Sequence, residues 1–147
     1  MKKFSLLILS LLLLSCSSDD EDAKEGNFLE VYNGVVWKEP LRSDDPDYGF
    51  WYVFKPDSFF KAEDMGRSIG CLSDTYKWGI VGSEEAKFTI KENSKNLLKI
   101  DCTNGVSSYD YTMTITTSQN GTVLNVVGSG EENFTEKYDK VNSEPCK

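Results

Sequence analysis

Histidine is absent from all 147 residues. That absence removes the commonest general base, the commonest zinc ligand and the side chain that changes charge near neutral pH. Cations are also in short supply, with 16 Lys and Arg against 24 Asp and Glu. The resulting net charge of −8 argues against nucleic acid, whose phosphates are held by clustered cations that release counterions. No G-x-G-x-x-G or Walker-type phosphate loop occurs; Gly128-Ser129-Gly130 is an ordinary short glycine pair. Serine and cysteine nucleophiles have no imidazole to activate them, so the chain reads as non-enzymatic and without a cofactor. Long apolar runs are missing too: the stretch Leu6–Leu14 falls short of the ~18 residues that a membrane-spanning helix needs.

What is present begins with an address. Met1-Lys2-Lys3 is a basic start, and the apolar run behind it has the length of a secretory h-region. It ends in Leu13-Leu14-Ser15-Cys16, which resembles a bacterial lipobox. That resemblance implies cleavage before Cys16, a signal peptide over 1–15, and acyl chains on Cys16. Such chains anchor a protein stably, since each buried CH₂ contributes ~0.8 kcal/mol. The acidic run Asp19-Asp20-Glu21-Asp22 then resembles the export tag of surface lipoproteins in the Bacteroidota. The expected location is therefore the outer membrane, facing outward, with 16–26 as a disordered acidic tether.

The remainder, 27–147, is long enough for one core and carries the apolar content to build it, 39% of the chain with 12% aromatic. Asn27 is placed to cap a short helix through Tyr32, closed by Gly34. From Val35 the apolar period changes to two. Strands are predicted over Val35–Lys38, Phe50–Phe54, Phe59–Met65, Tyr76–Val81, Lys87–Lys91, Leu97–Cys102 and Phe134–Val141, with Cys71 in a loop. A further hairpin spans Tyr109–Gly128. Its Asn120-Gly121 pair favours a type I′ turn, which sets Ile115 opposite Val126, Met113 opposite Gly128 and Thr117 opposite Leu124. In that register Tyr111, Met113, Ile115, Leu124 and Val126 share one face, so turn chemistry and hydrophobicity agree.

About eight or nine short strands with frequent turns and no long helix predict an all-β fold. An up-and-down antiparallel barrel is favoured because it removes edges, with a β-sandwich as the alternative. The short helix, Gly34-Val35-Val36-Trp37 at the head of the meander and Trp78-Gly79 midway resemble the lipocalin-like lipoproteins of Bacteroidota. The resemblance implies a barrel that binds a small apolar molecule. Trp37, Tyr52, Trp78 and Tyr111 are the candidate lining residues. The alternative is a filled barrel that acts as a protein–protein interaction module, since side chains usually fill small barrels.

Three cysteines remain. If each strand carries the chain from one end of the barrel to the other, Cys71 and Cys146 fall at the same end and Cys102 at the opposite one. A Cys71–Cys146 disulfide is therefore expected, with Cys102 a buried free thiol. Asp45 and Asp47, with Gly49, have a weak Ca²⁺-loop spacing but lack the bidentate Glu, so a solvated turn is the favoured reading and no metal is expected. Glu63-Asp64 and Glu84-Glu85 cannot act as catalytic pairs, because adjacent acids on a strand face opposite ways.

Overall fold

The computed structural model describes residues 25–40, 48–65, 70–82, 85–104, 110–131 and 133–145. Cys16, Asp45, Asp47 and Cys146 lie outside these residues, as do the signal peptide and most of the tether. Among the described residues no helix is long and apolar enough to cross a membrane.

Helix α1 (Phe28–Val31) begins as expected at Asn27, whose side chain accepts from the Glu30 N–H at 3.1 Å. Glu30 reciprocates by accepting from the Asn27 N–H at 3.0 Å, which completes a capping box. Nine strands follow: β1 (Val36–Lys38), β2 (Tyr48–Phe54), β3 (Ser58–Met65), β4 (Cys71–Lys77), β5 (Ala86–Ser94), β6 (Leu97–Asn104), β7 (Tyr111–Ser118), β8 (Val123–Gly130) and β9 (Phe134–Val141). They form a single sheet in the order β4-β3-β2-β1-β9-β8-β7-β6-β5, with every neighbouring pair antiparallel. The sheet curls into a nearly closed barrel, as the lipocalin-like reading expects, and not into a sandwich. The β7–β8 hairpin has the expected register, with Ile115 opposite Val126, Met113 opposite Gly128 and Thr117 opposite Leu124. Asn120 and Gly121 both take positive φ at its turn, joined by Gln119, which sequence gave no reason to place there.

One strand departs from expectation. The segment predicted as Tyr76–Val81 is instead Cys71–Lys77, and the chain turns at Trp78-Gly79, where Gly79 has a φ of +71°. Most side chains of β4 are exposed or half-buried and only Tyr76 is buried, so hydrophobic alternation could not reveal the strand. Cys71 is thus a strand residue, not a loop residue.

The topology also overturns the end-counting argument for the cysteines. Eight antiparallel ladders around a nine-stranded ring leave β4 and β5 running in the same direction. The alternation of ends therefore breaks at that step. Cys71 opens β4 and Cys102 lies near the close of β6 at the same end, whereas β9 finishes at the other. What separates Cys71 from Cys102 is the face of the sheet. Cys102 is buried in the interior core, while Cys71 stands in the register opposite to inward-facing Tyr76.

Side chains and a short bridge close the β4/β5 seam. Tyr76 of β4 and Phe59 of β3 meet Phe88 of β5 with ring centroids 4.8 and 4.7 Å apart. Beyond the turn, Val81 bridges to Lys87, and the Gly79 N–H donates to the Phe88 carbonyl at 2.7 Å. Large aromatic side chains in such a position dominate local stability. Phe88→Ala is expected to cost about 3–5 kcal/mol in urea unfolding, against a change within about 0.5 kcal/mol for Lys87→Ala on the exposed side of the same strand.

Candidate functional site

The two ends of the barrel differ. At one end the connections are tight, and α1 lies across the opening. The Tyr32 hydroxyl is 2.8 Å from Thr117 Oγ1, the Leu29 N–H donates to Asn93 Oδ1 at 3.3 Å, and the Gly34 N–H donates to the Phe54 carbonyl at 2.9 Å. Phe28 is fully buried there, its ring 5.9 Å from that of Phe54. Phe54 in turn stacks on Phe59, and Leu98, Ile100, Ile115 and Leu124 fill the space between. This half is packed solid by aromatic and branched side chains.

The far end holds a cavity of about 230 Å³. Inward-facing positions of four strands build its wall: Phe50 and Tyr52 of β2, Lys61 of β3, Tyr111 and Met113 of β7, and Phe134, Glu136 and Tyr138 of β9. Asp110 and Glu131 stand exposed at the rim. Period-two geometry explains the set, because residues two apart on a strand share a face. Thus Glu136 enters between Phe134 and Tyr138, and Lys61 enters two places after Phe59.

Hydrogen bonds organise the floor. Tyr138 is fully buried and its hydroxyl donates to Glu136 Oε2, while the Tyr52 ring packs edge-on against it at 5.0 Å. Burial raises the Tyr138 hydroxyl far above the usual phenol range, and the negative charges it would meet on ionising add to the shift. Tyr52 is raised first by burial and then by the Glu136 carboxylate. Tyr111 is raised by burial and by its hydrogen bond with Cys102. All three phenols therefore stay neutral and act as hydrogen-bonding walls. Cys102 is a buried free thiol, and desolvation pushes its ionisation upward, which makes it inert rather than nucleophilic.

Of the four residues named from sequence, Tyr52 and Tyr111 line the cavity and the two tryptophans do not. Trp37 is completely buried, with its ring 5.7 Å from Tyr32, so it belongs to the packed half under the helix. Trp78 lies past the end of β4, stacks on Phe59 at 5.1 Å and donates from Nε1 to the Lys55 carbonyl at 3.0 Å. Size and aromaticity selected both, whereas strand register and distance from α1 decide which rings reach the cavity. Lys61 and Glu136 were missed because a charged residue inside a barrel looks like a surface residue unless strand parity is followed. The Ser58-x-x-Lys61 spacing was missed as well. On a strand, residues three apart point to opposite faces, and here the Ser58 hydroxyl donates to Asp57 Oδ1 at 2.9 Å.

Cys71 is not among the free cysteines of the described residues, and it has a bonding partner that lies outside them. Among the described residues no group of His, Cys, Asp or Glu side chains is arranged to hold a metal ion. The fold and cavity define a small antiparallel barrel plugged by a helix at one end and hollow at the other. Comparison with protein-family models, with curated proteins and with solved structures finds no match.

One backbone position sets the cavity's shape. Phe134 pairs with Gly128, and a Cβ added there would overlap the Phe134 ring, which itself meets Tyr111 at 5.8 Å. The missing side chain of Gly128 gives that ring its seat. Gly128→Ala is expected to dislodge Phe134 and to cost about 1–3 kcal/mol by chemical denaturation. The neighbouring Ser129→Ala should stay within about 0.5 kcal/mol.

Proposed function

We propose that the chain is a lipid-anchored, surface-facing lipoprotein whose lipocalin-like barrel carries a small molecule and performs no catalysis. The observation that supports this best is the hollow far end in a barrel whose other half is packed solid. A small β-barrel gains stability by filling its interior, so an inward wall left uncovered is consistent with a place kept for a ligand. The lipobox around Cys16 and the acidic run behind it support the anchoring and the outward location. At about 230 Å³ the cavity lies below the ~300–1,000 Å³ typical of sites for drug-sized ligands, which favours a compact metabolite over a long lipid.

The Cys71–Cys146 bridge belongs to the same reading. Cys71 faces outward on β4, and Glu144 and Pro145 share an outer-face cleft with Phe60 and Thr75. This support replaces the end-counting argument that the topology removes. A bridge there would pin the C-terminal tail to the barrel wall and contribute ~2–4 kcal/mol.

A second reading, an interaction module, is favoured by one observation. Leu72, Ile80 and Val81, on β4 and the connection to β5, are all more than half exposed. Mass spectrometry of the full chain purified from its host membranes separates the two. The carrier reading expects a discrete non-covalent adduct that disappears on denaturation, together with acylation that Cys16→Ala abolishes. Bare protein with no adduct, combined with co-purification of a stoichiometric protein partner, would contradict it.

A further inference from the structure

The cavity wall carries two opposite charges that point inward from different strands. Lys61 is the single cation among the lining residues. Its Nζ sits 5.5 Å from the Phe50 ring centroid, and among the described residues no carboxylate closes an ion pair on it. Glu136 enters from β9, and the Tyr138 hydroxyl holds its Oε2 in place. Strands β3 and β9 are separated in the sheet by β2 and β1, so the ammonium and the carboxylate stand on different parts of the wall. Phe50, Tyr52, Tyr111, Met113 and Phe134 line the same cavity.

A hydrocarbon ligand would cover both charges and pair neither, which is the costliest way to bury ions. An anion alone would answer Lys61 but face Glu136 and the Asp110 and Glu131 rim. A cation alone would answer Glu136 and leave Lys61 desolvated without a partner. We propose that the cavity takes a compact zwitterion with an aromatic body, its carboxylate on Lys61, its ammonium on Glu136, and its ring among the aromatic walls. This assignment rests on the carrier reading and replaces its apolar ligand with an amphoteric one. Ring packing and cation–π attraction add to both charge pairs, and the volume suits a molecule about the size of a free aromatic amino acid.

The test is calorimetric titration of the full chain with four probes of matched body: L-phenylalanine, 3-phenylpropionate, 2-phenylethylamine and ethylbenzene. L-phenylalanine is expected to bind at least about tenfold more tightly than each of the other three, since losing one charge-assisted contact strands its partner. Lys61→Met should strengthen phenylethylamine binding, which then leaves no ammonium unpaired, and should lower phenylalanine binding at least about tenfold. Glu136→Gln, which keeps an acceptor for Tyr138, should lower it to the level of phenylpropionate. Equal or tighter binding of any one-charge probe, or of ethylbenzene, overturns the zwitterion and leaves the carrier reading standing. If no probe binds while the host-purified protein still carries an adduct, the zwitterion fails alone. If no probe binds and no adduct exists, both readings fail together.

Discussion

A ring of nine strands cannot be antiparallel all the way round. Eight of its junctions are ladders of that kind, and the ninth, between β4 and β5, must bring together two strands that run the same way. A parallel ladder needs a crossover of a dozen or more residues, and the connection between Lys77 and Ala86 is too short to supply one. The chain turns at Gly79, bridges briefly to β5 and leaves the remaining closure to Phe59, Tyr76 and Phe88. Direction, barrel closure and the placement of every residue after β4 follow from this one junction.

The same junction governs how far the sequence could be read. Local signals were strong where neighbours in sequence are neighbours in space. The Asn27 helix cap and the Asn120-Gly121 turn with its hydrophobic register are both short-range, and both are found in the structure. The β4 segment was misplaced because an edge strand buries little, so Cys71 to Thr75 carries almost no apolar pattern. Counting ends then failed for the cysteines, since the count assumed a reversal at a step where the chain does not reverse. Face succeeds where end fails, because Cys102 is interior and Cys71 is not.

The site was half legible for a related reason. Aromatic residues announced that an interior existed, but of the thirteen rings in or against the core only five line the cavity and the other eight build the packed half. Helix α1 decides which half that is. By seating Phe28 against Phe54 it consumes the space that Trp37 adjoins and leaves the far wall of Phe50, Tyr111 and Phe134 only partly covered. Lys61 and Glu136 are tolerable on the inner wall because both are only half-buried and Glu136 accepts from the Tyr138 hydroxyl. Gly128 completes the arrangement by giving the Phe134 ring a seat on the wall.

One half of this barrel is filled and the other half holds a cavity. The most direct measurement is the relaxation of methyl signals of the full chain by dissolved oxygen, read by NMR on labelled Met, Leu and Ile. The Met113 methyl, in the cavity lining, should relax several-fold more strongly than those of Leu29, Leu98 and Ile115, although all four side chains are buried. Equal protection of the four would mean a barrel filled from end to end, and would contradict the account.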